Sequence, residues 1–147
     1  RQYLLYALIR SESFFQAEIV SGAGAVGLTQ LMPATAADIA KKLQVSNYSL
    51  NDPELNIRFG AYYLAEMIRR LDNRIMPACF AYNAGISRVR SWQQRSRGLP
   101  DDLFLESLDY AETRGYGRKI LSAAVVYGVL YYNEKPENII EFFFPQI

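Results

Sequence analysis

Apolar residues recur along most of this chain at the three-and-four spacing of a helix, and nowhere alternate long enough to make a strand. Leu4, Leu5, Leu8 and Ile9 put one apolar face on a helix over about residues 3 to 13. Glu12 continues that face, four residues after Leu8 and three after Ile9, so a carboxylate is aimed where a core side chain is expected. Asn51-Asp52-Pro53-Glu54 supplies an N-cap, a proline suited to the first helical position and an acidic first turn. Ile57, Ala61, Leu64, Ile68 and Leu71 then follow on one face. Shorter helices are predicted over about Pro77 to Ala84, stopped by Gly85, over Ser87 to Gln94, and over Asp101 to Ser107. Tyr116 to about Tyr132 predicts a long, largely buried helix that Pro136 ends. With no strand pattern and no repeat, the fold class is all-α.

The breaks between these segments carry their own information. Ser21-Gly-Ala-Gly-Ala-Val-Gly27 has three glycines in six positions and reads as a loop whose backbone can approach a ligand closely. Helix is expected to resume from about Thr29 or from Pro33. Arg95 to Pro100 is a polar break, and Phe142-Phe143-Phe144-Pro145 is too apolar to be left in water, so it is expected to dock back onto the domain or onto a neighbour.

Composition narrows the chemistry. At 147 residues the chain suits one domain with a sizeable core, and 50% hydrophobic with 21% charged residues excludes a disordered segment. Sixteen basic and fifteen acidic residues nearly cancel without a basic run, so no nucleic-acid partner is expected. No segment is apolar enough to span a bilayer, and the first residues lack the layout of a signal peptide. The chain opens at Arg1 directly into a helical pattern and so looks cut from a longer protein, with targeting information upstream. Eleven Tyr, eight Phe and one Trp suit stacking on sugar faces as well as core packing. The absence of His and the single Cys exclude His-based zinc sites and His-activated nucleophiles in this segment, so no metal and no cofactor are expected. Cys79, in an apolar run, reads as a small core residue. Chemistry is left to carboxylates, hydroxyls and amides.

A carboxyl on an apolar helix face is kept protonated closer to neutral pH because burial disfavours its charged form, the pattern of a glycosidase acid. Glycoside hydrolysis ordinarily pairs such an acid with a second carboxylate. Read alone, Glu12 is better explained as a helix-end residue facing solvent.

Motif order decides more. Ala7-Leu-Ile-Arg-Ser-Glu-Ser-Phe14 and Ser21-Gly-Ala-Gly-Ala-Val-Gly-Leu-Thr-Gln-Leu-Met-Pro-Ala-Thr-Ala36 closely resemble the first two motifs of the soluble lytic transglycosylase family. Ala81-Tyr-Asn-Ala-Gly85 resembles its third motif and Glu112-Thr-Arg-Gly-Tyr116 its last, in the same order and at similar spacing. The stretch around Ser87 departs from the pattern, lacking the glycine or proline often found there. The resemblance implies a goose-lysozyme-like all-α catalytic domain over residues 1–147, in the periplasm, with a cleft for peptidoglycan glycan strands and, as a further partner, an upstream domain of the same chain. It implies Glu12 as the catalytic acid/base and Ser21, Gln30, Met32, Tyr82, Asn83 and Glu112 as substrate contacts. Each contact also has a plain structural reading: Gln30 and Met32 as helix-start packing, Ser21 as a turn residue, Asn83 as a helix-end cap, Tyr82 as core. Arg114 and Arg118 beside Glu112 predict a charge-assisted pair that keeps it ionised and out of proton transfer, and Tyr116 reads as packing.

With one carboxylate, the resemblance implies substrate assistance. Glu12 protonates the glycosidic oxygen while the 2-acetamido carbonyl of the muramic acid residue closes on C1. Glu12 then takes the proton of the C6 hydroxyl, whose attack gives a 1,6-anhydro ring without water. A hydrogen bond from Tyr82 would help to place charge on that intermediate. Two alternatives stay open: a muramidase that uses water, which needs a second carboxylate facing Glu12, and a peptidoglycan-binding module that has lost the chemistry.

Overall fold

The computed structural model describes residues 1–145. Among them are eight helices: α1 (Gln2–Ser13), α2 (Pro33–Leu43), α3 (Pro53–Arg70), α4 (Ile75–Ala84), α5 (Ile86–Arg95), α6 (Asp101–Ser107), α7 (Ala111–Tyr132) and α8 (Pro136–Phe143). The described residues contain no strand, only the isolated antiparallel bridges Val20 to Val26 and Val26 to Leu31, so the all-α expectation is met. No described helix is long and apolar enough to cross a membrane. The chain divides into two compact units, Leu8–Tyr63 and the combination of Arg1–Ala7 with the chain from Leu64 onward.

The unit Leu8–Tyr63 is built on Leu8, Ile9, Leu28, Leu31, Ala36, Ile39 and Phe59, all buried. Pro33 is the first residue of α2, and the expected earlier helix from Thr29 is replaced by turns, because Gln30 is left-handed at φ 51. Asp52 caps α3: its carboxylate accepts from the backbone N–H groups of Glu54 at 3.0 Å and Leu55 at 3.3 Å, as the Asn-Asp-Pro-Glu run predicts.

The other unit centres on α4, which has no charged side chain and buries every residue from Ile75 to Ala81. It packs against α5, α6, α7 and α8. α4 begins two residues before the predicted Pro77, since a proline within the first turn sacrifices no intrahelical hydrogen bond. Gly85, at φ 92, ends α4 as expected, and α5 starts at once with Ile86.

α7 ends at Tyr132 as expected, but it departs from expectation at its start, in its burial and in what stops it. It starts at Ala111, so the whole Glu112 to Tyr116 motif is helical despite Gly115, a weak helix former. Its later half exposes Val126, Val129, Leu130 and Tyr131 while Ile120, Ala123, Ala124 and Gly128 are buried, so one face is covered rather than most of the helix. Asn133, left-handed at φ 51, ends it, and Pro136 does not terminate α7 but opens α8. α8 carries the apolar C-terminal run back into its unit: Phe143 is fully buried, and the Phe142 ring meets Tyr3 edge-on at 5.9 Å.

Candidate active site

Glu12 is the second-to-last residue of α1 and is half-buried. The helix stops because Phe14 and Phe15 turn left-handed, at φ 50 and 61, a conformation that non-glycine residues hold only when their surroundings impose it. Ser13 supplies part of that constraint. Its side chain is buried, and its hydroxyl oxygen lies 2.8 Å from the Leu28 carbonyl and 3.1 Å from the Ile9 carbonyl, so its proton goes to Leu28. The end of α1 is thereby tied to the segment after the glycine loop, one residue from Glu12.

The loop itself closes on backbone bonds. Ser21 N–H donates to the Ala25 carbonyl and Gly24 N–H to the Ser21 carbonyl, both at 2.9 Å, and the Ser21 hydroxyl accepts from Ala25 N–H at 3.0 Å. The turn role of Ser21 is thus present, whatever its proton does. Gln30 spends both amide hydrogens inside the loop, on the Ile19 carbonyl at 3.1 Å and the Gly27 carbonyl at 2.9 Å. Two carbonyl partners fix which side of the amide is nitrogen and leave its oxygen as the group available to a ligand. Met32, 43% exposed, stands at the N-cap of α2 without a side-chain cap bond, so its side chain is open to contact rather than packed at the helix start.

Behind the loop sits Asn56, fully buried on α3. Its amide nitrogen donates to the carbonyls of Val26 at 2.9 Å and Leu50 at 3.0 Å. Its side-chain oxygen accepts from Thr29 N–H at 2.8 Å and from the Thr29 hydroxyl at 2.7 Å. A Cβ at Gly27 would stand 2.3 Å from the Asn56 Nδ2, and one at Gly60 would stand 2.4 Å from the Thr29 Oγ1, so glycine is required at both.

Tyr82, Asn83 and Glu112 belong to the other unit. Tyr82 and Asn83 are half-buried in the last turn of α4. The Asn83 side-chain oxygen accepts from the buried Thr113 hydroxyl at 2.9 Å, which joins the third motif to the last through α4 and α7. Glu112 is exposed in the first turn of α7, where the helix dipole favours an anion. The expected pairing with Arg114 and Arg118 is not the one formed. Arg114 donates to the Leu108 carbonyl at 2.8 Å and Arg118 pairs with Glu106 on α6, because both guanidinium groups are turned toward the α6 end of the helix. Tyr116 is buried, as a packing residue should be. Cys79 is fully buried and desolvation pushes its thiol up to about 12, so it is no nucleophile.

Sequence reading named the candidate ligand contacts and passed over four buried residues near them, Ser13, Thr29, Asn56 and Gly60. Asn56 carried a usable signal, a carboxamide three, seven and eleven residues before Phe59, Tyr63 and Met67, on their face of a well-marked helix.

The transglycosylase SLT domain model matches residues 1–105. The soluble lytic murein transglycosylase of Escherichia coli is 39% identical over 126 residues, which is 82% of this chain and 20% of that protein. The crystal structure of the 70 kDa soluble lytic transglycosylase of Escherichia coli superposes with a TM-score of 0.91 at 34% identity, over 99% of this chain and 24% of that one. Lytic transglycosylase Slt of Pseudomonas aeruginosa, solved as an inactive glutamate-to-glutamine mutant, gives a TM-score of 0.87 at 37% identity, over 92% of this chain and 23% of that one. The chain thus spans about a quarter or less of the length of these relatives. Its helices have the lysozyme-like arrangement of those structures, and the chain belongs to the transglycosylase SLT domain family.

Proposed function

We propose that this chain is the catalytic domain of a periplasmic lytic murein transglycosylase, in which Glu12 alone serves as acid and then base. The observation that carries the reading is the setting of Glu12: a half-buried carboxyl at the C-terminal end of α1, next to a serine that clamps the glycine loop. A helix C-terminus disfavours negative charge, so this position suits a carboxylic acid that must give up a proton to a leaving oxygen. Inactivation of the Pseudomonas aeruginosa relative by one glutamate-to-glutamine change supports a reaction that hangs on a single carboxyl.

The substrate is the glycan strand of peptidoglycan, cut between N-acetylmuramic acid and N-acetylglucosamine. Glu12 protonates the bridging oxygen, which departs with the leaving sugar as the 2-acetamido carbonyl oxygen bonds to C1, then takes the proton of the C6 hydroxyl as the C6 oxygen displaces the acetamido oxygen from C1. Atoms balance without water, and the product ends in 1,6-anhydro-N-acetylmuramic acid. Gln30, through its amide oxygen, Met32 and Ser21 contact the glycan. Tyr82, Asn83 and Glu112 are further glycan contacts, and Glu112 acts as an ionised positioning group. The deciding experiment is turnover of purified sacculi by the wild-type protein and by Glu12→Gln. Soluble muropeptides from the first and none from the second are expected. No release by the wild-type protein would leave a binding module instead.

A further inference from the structure

Gln30 sits at φ 51, and its amide hydrogens, spent on the Ile19 and Gly27 carbonyls, are one part of what holds it there. A second part lies in the residue before it. The Thr29 N–H and hydroxyl both bond to the carboxamide oxygen of Asn56, so the peptide leading into Gln30 is held from a buried point on α3. The same carboxamide holds Val26 and Leu50, which fills all four of its hydrogen-bonding positions. Gly27 and Gly60 let the backbone close around that amide and the threonine hydroxyl.

We infer that Asn56 and Thr29 form a positioning pair whose task is to fix Gln30 with its amide oxygen toward the glycan. The inference rests on the reading of Gln30 as a substrate contact. Neither member of the pair touches substrate, since Asn56 and Thr29 are both fully buried. A pair that merely stabilised the core would affect folding equally whether or not residue 30 were a glutamine. A positioning pair acts through Gln30, and that difference can be measured.

The test is a double-mutant cycle of Thr29→Val and Gln30→Ala in the protein, followed on soluble glycan strands of alternating N-acetylglucosamine and N-acetylmuramic acid. Thr29→Val removes one buried hydrogen bond and should lower kcat/KM roughly tenfold, chiefly through KM. Thr29→Ser, which restores the hydroxyl, should recover it. In the Gln30→Ala background, Thr29→Val should cost nothing further. Circular dichroism confirms that each variant is folded, and Thr29→Ala carries the same cycle if the valine variant is not. Additive losses in the cycle, or a serine variant as weak as the valine one, overturn the inference and leave Gln30 as a contact. Full activity of Gln30→Ala on its own overturns the substrate role of Gln30, and the inference with it.

Discussion

Glu12 shows how much one position can disclose and where it stops. A carboxylate four residues after Leu8 on an apolar face singled out a candidate that only the motifs turned into an expected acid, and the structure keeps it half-buried at the end of α1 rather than deep in the core. Glu12→Gln keeps size and hydrogen bonding but removes the transferable proton, so turnover should fall by at least about 100-fold while glycan binding and the thermal midpoint stay near wild type. A variant that still solubilised sacculi at the wild-type rate would place the chemistry elsewhere. The partners of Glu112 were not legible in the same way. Arg118 reaches Glu106, 12 residues back, and only the packing of α6 against α7 decides that choice. Cys79 was legible as core, and its burial gives a second prediction. Its thiol is raised from 9.0 to about 12, so the native protein should resist Ellman's reagent at pH 8 and react once unfolded. Above pH 9 the unfolded chain releases this proton while the native state keeps it, so the thiol's contribution to stability declines as pH rises from about 9 toward 12. A melting series comparing wild type with Cys79→Ala across that range would show a flatter alkaline decline for the alanine variant.

At the scale of elements, legibility followed the strength of local signals. The boundaries of α1, α3 and α6 came from periodicity and caps, which are written in adjacent residues. The early start of α7 was hidden by Gly115 and Gly117, whose weak propensity is outweighed by burial of Thr113, Tyr116 and Gly117. α8 was missed because Pro136 can end one helix or begin the next, and the choice rests on Asn133 having already ended α7. Two substitutions test the element reading. Asp52→Ala removes the acceptor for Glu54 and Leu55 N–H and should cost about 1 kcal/mol by denaturant titration. Gly27→Ala should cost more, since φ 80 disfavours alanine and its Cβ would stand 2.3 Å from the Asn56 amide nitrogen and 2.9 Å from the Leu50 carbonyl oxygen. An alanine variant as stable as wild type would mean that the loop relaxes freely and that Asn56 does not hold it.

For the molecule as a whole, the question is what leaves the enzyme. Two units carry the motif residues, Glu12, Ser21, Gln30 and Met32 in one and Tyr82, Asn83 and Glu112 in the other. A hydrolase needs a group to activate water, ordinarily a second carboxylate across the bond from the acid. Within Leu8–Tyr63 the other acidic residues are Glu18, Asp38, Asp52 and Glu54, all exposed, and the Asp52 carboxylate is occupied in capping α3. The C6 hydroxyl has the advantage over water because it is held intramolecularly at high effective concentration against C1. Muropeptides released from sacculi should therefore end in 1,6-anhydro-N-acetylmuramic acid, lighter by one water than hydrolysis products and without a reducing end. In water enriched in oxygen-18 the new ends should gain no label. Labelled reducing ends as the main product would convert the assignment to a muramidase, while Glu12 would keep its role as the acid.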